Sequence, residues 1–464
     1  MQLPNRLKTP SFLQKLQWIF DPIKYMKSAV QQYPDIFTGE VVGFGDNLVF
    51  VNHPQAIKEI LINDRKAFAG SSKANRILQP LVGNSSLLVL DGESHKQRRQ
   101  LLMPSFHGER MRAYGQLIIN LTENIFSQLP LNKPFSALST MQAISLQVIL
   151  QAVFGFYEGE RCQQLKHLIP TLVMELFRSP FISSFLFFPS LQRDLGSLTP
   201  WGKFLRLREQ VDELLYAEIA ERRQHLLPDR IDILSLLMLA RDETGKAMTD
   251  QELRDEVIDL MISGHETTAS AMTWGLYWIL HKPEVYEKLL QELDSLGDSP
   301  DPMKIFQLPY LTAVCNETLR IYPIAIMTLP RVVQEPVEIL GHRLEPGTKV
   351  IGCIYLAHQR ADLYPQPKEF KPERFLERQF SPYEFLPFGG GARGCIGQAL
   401  ATFEMKLVLA TIISRYQLSL ADQRAERPQR RGLVVGPRNG VKIIITGRRM
   451  RQQSSTAMVT TPTL

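Results

Sequence analysis

The spacing of apolar residues changes twice along the chain. In Phe37–Val51, apolar and polar residues alternate on both sides of a turn at 43–47, which predicts a β-hairpin. From about residue 53 to residue 325, apolar residues recur every three or four positions, which predicts helices. After Pro330 the chain returns to short alternating runs separated by turns. Strands at the two ends of a helical middle predict a mainly α protein of the α+β type.

One predicted helix differs from the others in length and polarity. Thr249 is followed three residues later by Glu252, which is a capping-box pattern, and Pro283 ends the helical stretch. A helix of about 30 residues rises about 45 Å, which is long enough to cross the molecule. After Val257 its apolar residues occupy nearly every side. Such a helix is predicted to lie at the centre of the protein.

The two ends of the chain lack a regular pattern. Residues 1–29 mix proline and charge with apolar residues and are predicted to be an irregular N-terminal segment. Residues 448–464 have little to bury and are predicted to be a disordered tail. The folded part of the chain is therefore expected to span residues 30–447.

Composition argues against several classes of protein. Lys and Arg total 53 and Asp and Glu total 47 among 464 residues, so the net charge of +6 is modest, and no block of like charges indicates nucleic-acid binding. The four cysteines are isolated, which argues against a zinc site or a disulfide framework and fits a reducing cytoplasm. The apolar stretch 181–191 is shorter than the roughly 18–20 residues that span a bilayer, so no transmembrane segment is expected.

The segment Phe388–Gly397, with the sequence FGGGARGCIG, places one of these cysteines among five glycines. An apolar helical run follows, so the Cys395 thiol is expected beside a helix N-terminus, where unpaired N–H groups and the helix dipole favour a thiolate. The glycines would let a large flat group approach closely. From these residues alone, a glycine-rich turn with a buried free cysteine remains the alternative.

Five positions of this segment match the pattern Phe-x-x-Gly-x-Arg-x-Cys-x-Gly: Phe388, Gly391, Arg393, Cys395 and Gly397. The segment resembles the haem-binding loop of the cytochrome P450 superfamily. The resemblance implies that Cys395 is the axial thiolate ligand of haem iron, whose electron donation favours O–O cleavage. It also implies that Phe388 shields the sulfur, that Arg393 binds a haem propionate and that Gly397 lies against the haem.

The same resemblance extends to an ion-pair network. ETLR supplies Glu317 and Arg320, three residues apart on one helical face, and resembles the family's Glu-x-x-Arg motif. FKPERF supplies Arg374, whose family role is to complete a buried network with these two residues beneath the haem. Taken alone, Glu-x-x-Arg would indicate a pair on a helix surface.

The central helix carries SGHETT, which resembles the family's Ala/Gly-Gly-x-Asp/Glu-Thr-Thr motif. Cleaving dioxygen requires protons and space. The resemblance implies that Glu266 is the carboxylate of a proton relay and Thr267 its hydroxyl, while Gly264 gives room. Ser263 replaces the usual first small residue, and His265 is expected to point away from the haem. Without the cysteine segment, the same residues would indicate a glycine kink with a threonine bonded to its own helix.

Haem propionates are anions and need cationic partners where water is partly excluded. GESHKQRRQ resembles the family's helix C motif with histidine in place of tryptophan, so His95 and Arg99, four residues apart, are the implied partners. Arg331, in the segment after the Glu-x-x-Arg helix, and Arg393 would complete this clamp.

Three further cations are expected near the haem's cysteine side. Lys96 and Arg98 are expected to face solvent and, with Lys406, to form a basic surface for an acidic electron donor such as a ferredoxin. Ordinary solvated side chains are the alternative.

The resemblance covers about residues 30–447 and implies one cytochrome P450 domain, with a large helical part and a small β-rich lobe, of the soluble prokaryotic type. It implies haem b as the cofactor, and electrons from NAD(P)H that arrive through a separate ferredoxin or flavodoxin with its reductase. A monomer in the cytoplasm is expected, with loose membrane association left open.

The implied substrate pocket is aliphatic. The segments that line the pocket in the family contain here the candidates Leu88, Met261, Ile262, Ile326, Met327 and Leu329. Such walls favour a large hydrophobic substrate such as a long-chain fatty acid, an alkane or a terpenoid. The implied reaction is monooxygenation with O₂. A peroxide-driven or isomerising haem-thiolate enzyme and a haem-based sensor or electron carrier are the alternatives, and the pair Glu266 and Thr267 argues against both.

Overall fold

The computed structural model describes residues 4–43, 45–70, 76–106, 109–155, 159–177, 180–186, 188, 191–225, 230–297, 300–432 and 434–449. Helices dominate the middle of the chain. In these ranges the α-helices are α1 (Ser11–Phe20), α2 (Pro22–Gln32), α3 (Pro54–Ile62), α4 (Gln79–Val82), α5 (Gly92–Leu102), α6 (Glu109–Ser127), α7 (Ala137–Phe154), α8 (Glu160–Phe177), α9 (Pro180–Ser183), α10 (Pro200–Gln224), α11 (Ile233–Leu239), α12 (Asp250–His281), α13 (Pro283–Asp294), α14 (Pro302–Phe306), α15 (Pro309–Ile321), α16 (Ile354–His358), α17 (Arg374–Glu377) and α18 (Gln398–Arg415).

The strands are short and come mostly from the two ends of the chain. They are β1 (Ile36–Val41), β2 (Gly45–Val51), β3 (Phe68–Gly70), β4 (Pro134–Ser136), β5 (Arg331–Val333), β6 (Val337–Ile339), β7 (His342–Leu344), β8 (Lys349–Gly352), β9 (Tyr416–Leu420), β10 (Pro428–Arg431), β11 (Val434–Pro437) and β12 (Lys442–Arg448). The largest sheet has the order β1-β2-β8-β5-β3, in which β2 and β8 are parallel and the other pairs are antiparallel. Another sheet has the order β4-β12-β9, and β6-β7 and β10-β11 form pairs.

The prediction of a helical middle with strands at both ends is confirmed. The predicted hairpin is β1 and β2, but β2 already begins at Gly45, so its turn is shorter than the predicted 43–47. Because β2 pairs with β8, strands from both ends of the sequence share one sheet. This sheet is the small β-rich lobe beside the helices.

Helix α12 is the long helix that the sequence predicted. Thr249 Oγ1 accepts a hydrogen bond from the Glu252 N–H at 3.2 Å, and the Glu252 carboxylate accepts one from the Thr249 N–H at 2.9 Å, so the capping box is present. The helix ends at His281, just before Pro283. It packs along α7 and against α18, and most of its side chains are buried. Its predicted central position is confirmed.

The N-terminal segment is helical, and the prediction of irregular structure over residues 1–29 is wrong. Pro10 is the N-cap of α1 and Pro22 is the first residue of α2, positions at which proline sacrifices no helical hydrogen bond. Trp18 is buried in the apolar cluster that packs on β1 and β2. Here proline starts helices and does not break them.

The opposite end of the chain also differs slightly from the prediction. Arg448 belongs to β12 and pairs with Tyr416, so the folded part extends past residue 447. Residues 450–464, which make up most of the predicted tail, lie outside the described ranges.

Helix α7 is the one described helix that is long and apolar enough to cross a membrane, judged by length and composition alone. Of its 18-residue window, 72% is buried inside the protein, where the helix packs along α12. That burial is typical of a core helix that is apolar all round. The stretch 181–191, which the sequence singled out, lies partly outside the described ranges.

Candidate active site

The cysteine segment forms a tight loop that leads into α18. Gly391–Arg393 make one 3₁₀ turn, and Gly397 is the N-cap of α18. The Cys395 N–H donates to the Phe388 carbonyl oxygen at 2.9 Å, which closes the loop. Gly391 has a φ of 64°, a conformation that favours glycine. Cys395 therefore lies beside a helix N-terminus, as predicted.

The Cys395 side chain lies deep in the protein and is nevertheless accessible, whereas the other three cysteines are buried. A group with both properties lines an internal space. Burial raises the pKa of the Cys395 thiol, and the Gly397 N–H and the charge of Arg99 oppose that rise without cancelling it. The helix N-terminus favours the thiolate, as expected, but burial is the larger effect on the free thiol. Coordination to a metal cation would deprotonate it.

The donor set around Cys395 decides what kind of metal site it could serve. Within the described ranges, no group of three or more His, Cys, Asp or Glu side chains could hold a metal ion. A metal bound to Cys395 would therefore need its other ligands from a second molecule. A porphyrin would supply nitrogen ligands of its own, so one accessible thiolate from the protein would be sufficient. The site fits haem iron and does not fit an ion held by side chains alone.

Four arginines surround His95 on α5. Burial lowers the pKa of His95 to about 3, and the charges of Arg393, Arg65, Arg99 and Arg331 lower it further in that order of size. The imidazole is therefore neutral at pH 7. We call Arg65, Arg99, Arg331 and Arg393 the arginine cluster. The structure brings together the four predicted propionate partners, which are His95, Arg99, Arg331 and Arg393.

Two aspartates hold the arginine cluster in place. Arg331 binds both carboxylate oxygens of Asp64 at 2.9 Å, and both side chains are buried. Arg393 pairs with Asp91. Arg99 Nη1 donates to a carbonyl oxygen of the cysteine loop at 2.7 Å. Four guanidinium charges and two carboxylate charges leave a net charge of +2 in this group, which two haem propionates would neutralise.

Gly70 allows two of these arginines to lie side by side. It pairs with Arg331 across β3 and β5. A Cβ atom at Gly70 would lie 2.6 Å from Asp91 Oδ1 and 2.8 Å from Arg393 Nη2, so an alanine would displace that ion pair. The close approach of β3 to the cysteine loop thus depends on the missing side chain.

Arg65 was not among the candidates found in the sequence. It lies in a turn after α3 with a φ of 75°, and its Nη2 is 3.5 Å from His95 Nδ1. Its side chain reaches the site because the turn reverses the chain, and its N–H bonds the Phe68 carbonyl oxygen. No spacing pattern indicates this contact, because Arg65 and His95 lie 30 residues apart.

Glu317, Arg320 and Arg374 meet in the interior, and all three are buried. The Arg320 guanidinium donates to both carboxylate oxygens of Glu317, at 2.6 and 2.9 Å, and Arg374 Nε donates to Glu317 Oε1 at 3.1 Å. Arg320 also donates to three carbonyl oxygens of the segment 358–369. The network thereby fastens α15 to the segment that leads to α17 and the cysteine loop.

The centre of α12 is the accessible part of an otherwise buried helix. Ser263 is exposed and Gly264, Glu266 and Thr267 are partly exposed, while the residues on both sides of this stretch are mostly buried. Thr267 Oγ1 donates to the Ser263 carbonyl oxygen at 2.6 Å. His265 is buried, which agrees with its expected direction away from the site, and burial lowers its pKa to about 4.

Glu266 lies between α12, α7 and β10. Its Oε2 accepts a hydrogen bond from Gln142 Nε2 at 2.6 Å, and its Oε1 lies 3.9 Å from Arg431 Nη1. Burial raises the pKa of this carboxyl, and Gln142 and Arg431 lower it by less. A carboxyl in such surroundings can hold a proton closer to neutral pH than an exposed one.

Gly264 serves the packing of α12 on α7. A Cβ atom there would lie 3.0 Å from Ile149 Cδ1 on α7, which is tight. Ser145, which also lies on α7, donates its hydroxyl proton to the Gly264 carbonyl oxygen at 3.3 Å. Gly264 therefore allows a close contact between two helices, and its role in giving room for oxygen stays a prediction.

The candidate pocket residues divide into two groups. Leu88, Ile262, Met327 and Leu329 are partly exposed, whereas Met261 and Ile326 are buried in the core. Met261 precedes Ser263 by two positions, so it points roughly 200° away around the helix and cannot share its face. Met261 therefore faces the core, and the prediction that it lines the pocket is wrong.

The predicted basic surface is largely wrong. Arg98 is buried and donates to Glu256 at 3.0 Å and to Glu252 at 2.8 Å on α12. Lys406 is buried and donates to the Phe306 carbonyl oxygen at 2.8 Å. Both cations are held by partners from distant parts of the chain. Lys96 does face solvent, as expected, where it pairs with Glu93.

Comparisons with known proteins agree with this geometry. The family model described as Cytochrome P450 matches residues 6–444. A Mycobacterium tuberculosis protein with the provisional name cytochrome P450 135B1 is 35% identical over 463 residues, which covers 99% of this chain and 94% of that protein. A second one, provisionally named cytochrome P450 138, is 30% identical over 450 residues and covers 97% of each chain.

One solved structure extends the comparison to the fold. It is described as retinoic acid bound cyanobacterial CYP120A1, and it superposes with a TM-score of 0.83 over 96% of this chain and 100% of that chain. At 23% sequence identity, the likeness is one of fold.

Proposed function

Because the chain belongs to the cytochrome P450 family and is a monooxygenase, we propose that it inserts one atom of O₂ into a C–H or C=C bond of a large hydrophobic substrate. The proposed class comprises long-chain fatty acids, alkanes and terpenoids. The observation that carries this proposal is the accessible interior thiol of Cys395 beside a cationic group with a net charge of +2.

Haem b is the cofactor that the family implies, and Cys395 is the residue proposed to bind its iron. When bound, haem supplies a redox-active iron, and a thiolate ligand favours O–O cleavage. We assign the arginine cluster and the neutral His95 to the propionates, with Arg65 added to the partners expected from the sequence. Phe388, whose carbonyl oxygen accepts a hydrogen bond from the Cys395 N–H, and Gly397, the N-cap of α18, complete the proposed cofactor-binding set.

Glu266 and Thr267 are the proposed acid and hydroxyl on the opposite side. The Thr267 hydroxyl proton, which is donated to the Ser263 carbonyl oxygen, can be redirected into the accessible space by rotation about one bond. The raised pKa of Glu266 supports a role as a proton source. Glu317, Arg320 and Arg374 are proposed to hold the cysteine loop in position.

The partly exposed aliphatic side chains support a hydrophobic substrate. Leu88, Ile262, Met327 and Leu329 offer apolar walls, which favour a ligand with a long or bulky hydrocarbon part. Met261 and Ile326, both buried, would support these walls from behind.

The source of electrons is inferred from membership of the family. We propose NAD(P)H as the source and a ferredoxin or flavodoxin with its reductase as the carrier. Since Arg98 and Lys406 are buried, they contribute nothing to a docking surface. A monomer in the cytoplasm is part of the same proposal.

The test uses purified protein reconstituted with haem. The reduced carbonyl complex should show the red-shifted Soret band of thiolate ligation, and Cys395→Ser should lose it, while Cys162→Ser, a buried cysteine elsewhere, should keep it. Fatty acids, alkanes and terpenoids are then screened for substrate-induced spin shifts. Product formed with NAD(P)H, ferredoxin and reductase supports monooxygenation. Product formed only with peroxide supports the peroxide-driven alternative, and thiolate-ligated haem without any product supports a sensor or carrier.

A further inference from the structure

Two buried carboxyl groups on α12 have no role in the proposed mechanism. Glu256 and Asp259 lie about one turn apart, and both are almost completely buried. Glu256 Oε2 accepts a hydrogen bond from Arg98 Nη1 at 3.0 Å. Within the described ranges, Asp259 forms no ion pair with a cation. A buried carboxyl without a cation tends to keep its proton.

The groups that hold Asp259 are neutral hydroxyls and a peptide group, and the Ser86 hydroxyl is one of them. Asp259 Oδ1 accepts a hydrogen bond from Ser263 Oγ at 2.9 Å, and Asp259 Oδ2 accepts one from the Leu88 N–H at 3.3 Å. Burial raises the pKa of Asp259, and the nearby carboxylate of Asp255 raises it further. Burial also raises the pKa of Glu256, and its repulsion with Asp259 adds to that rise. The pair therefore favours a state in which at least one of the two carboxyls is protonated.

The hydroxyl partner of Asp259 is the exposed residue at the centre of α12. Ser263 lies four residues after Asp259 and four before Thr267, so the three side chains occupy successive turns on one side of the helix. The Ser263 carbonyl oxygen already accepts the Thr267 hydroxyl. Ser263 is thus in contact with a buried carboxyl, with the accessible space and with Thr267.

We propose that Asp259 and Ser263 form a second carboxyl–hydroxyl pair that delivers protons to the accessible space, in parallel with Glu266 and Thr267. This inference rests on the proposed function, because it treats that space as the oxygen-binding side of the haem. When Asp259 is protonated, its Oδ1–H donates to Ser263 Oγ, and the Ser263 hydroxyl proton points into the space. Ser263 then gives up its proton and takes the one from Asp259. Asp259 is reprotonated from Glu256 through an intervening water, since Glu256 Oε1 has no hydrogen-bond partner among the described residues.

The proton balance of this route closes with one proton taken up from water. One proton leaves Ser263 Oγ, one moves from Asp259 Oδ1 to Ser263 Oγ, and one moves from Glu256 to Asp259. Glu256 is recharged from water through the end of α12, where Glu252 shares Arg98 with it and is partly exposed. Arg98 positions the two glutamates.

The first experiment asks whether Asp259 holds a proton. Infrared difference spectra of the holoenzyme at neutral pH should contain a carboxylic acid C=O band that Asp259→Asn removes. Ser263→Ala should shift the same band to higher frequency, because one hydrogen bond is lost. Glu404→Gln removes the band of another buried carboxyl and serves as the assignment control. A spectrum that Asp259→Asn leaves unchanged overturns the proposal.

The second experiment asks whether the two routes act in parallel. With substrate, NAD(P)H and redox partners, Ser263→Ala should lower product per electron and raise peroxide release. The loss should be smaller than the roughly 10²-fold typical of removing a general acid, since Glu266 and Thr267 remain. The double variant with Thr267→Ala should lose more than the two single losses combined. If the double variant loses no more product per electron than Thr267→Ala alone, the proposal is overturned.

Two further outcomes separate the possible failures. If Asp259→Asn does not fold, Ser263→Ala serves for both experiments, because Ser263 is exposed and its substitution buries no new group. If Ser263→Ala changes which compounds shift the haem spin state but leaves coupling intact, Ser263 is a substrate contact and the relay is wrong. If the reduced carbonyl complex lacks the thiolate signature, the proposed function fails first. Intact thiolate and spin-shift signals with unaffected coupling refute only this inference.

Discussion

Glu317 and Asp259 are both buried carboxylates, yet they have opposite kinds of partners. Glu317 binds two guanidinium groups, on Arg320 and Arg374, through both of its oxygens. Asp259 is held by neutral groups, the Ser263 hydroxyl and the Leu88 N–H, with the Ser86 hydroxyl beside them. The first set of bonds is satisfied only by the ionised carboxylate, whereas the second set allows the protonated form.

This difference separates a supporting region from a reactive one. A carboxylate that two cations hold cannot take up a proton without losing bonds, so it fixes the position of the backbone around it. A carboxyl that neutral groups hold can change its protonation with little rearrangement. The region under the cysteine loop is therefore suited to holding, and the centre of α12 to proton transfer.

The largest expected effect comes from breaking the supporting region. Arg320→Ala leaves the Glu317 charge in the core with one remaining cation, so the free energy of unfolding should fall by about 3–5 kcal/mol. Urea denaturation and haem content measure the loss. If the variant cannot be purified, Arg374→Gln, which retains the Glu317–Arg320 pair, should show a smaller loss.

A matched control for Arg320 is an ion pair with the same spacing on the surface. Lys96 and Glu93 are also three residues apart, at 2.8 Å, and both side chains are well exposed. Lys96→Ala should cost less than about 1 kcal/mol. Similar losses for Lys96→Ala and Arg320→Ala would contradict the distinction between a supporting network and an ordinary surface pair.

The next largest effect concerns the reactive region. Thr267→Ala should keep haem and substrate binding, while product formation falls by about 10²-fold and peroxide release rises, because a proton-donating hydroxyl is lost. Product and peroxide per NAD(P)H measure the coupling. Thr273→Ala is the control, because Thr273 makes the same type of bond, to the Ala269 carbonyl oxygen at 2.7 Å, in the same helix. Unchanged coupling in Thr267→Ala would show that the relay assignment is wrong.

The last test follows stability against pH and asks whether neutral surroundings alone govern a buried carboxyl. Burial raises the pKa of Glu404 on α18 from 4.5 to about 8. Between these values the folded protein holds a proton that the unfolded chain has lost, so the free energy of unfolding should fall as pH rises, by at most about 1.4 kcal/mol per pH unit. Glu404→Gln should remove this contribution and gain stability relative to the wild type from pH 5 to pH 8. If the difference in the free energy of unfolding between Glu404→Gln and the wild type does not vary with pH, the raised pKa of Glu404 is contradicted.

Local spacing predicted much of the site, because helices bring residues three or four apart together. Glu317 and Arg320 share one face of α15, and His95 and Arg99 share one face of α5. The cysteine loop and the capping box of α12 are likewise defined within a few consecutive residues. Features of this kind need no knowledge of the rest of the fold.

Long-range partners could not be predicted in this way. Arg98 looks like a solvent-facing cation in its own helix, and its partner Glu256 is 158 residues away. Arg65 reaches His95 through a turn with a positive φ that no motif indicates. The role of Asp259 likewise depends on the absence of a cation among its described neighbours, and those neighbours come partly from outside α12.

The parallel pairing of β2 with β8 joins segments about 300 residues apart in the chain. At a synthesis rate of roughly 5–20 residues per second, β2 would wait on the order of 15–60 s on the ribosome before β8 emerges. During that interval the nascent hairpin has an uncovered edge that could pair with another chain. Early steps of biogenesis, and chaperones that shield this edge, should therefore influence the yield of folded protein more than the final stability does.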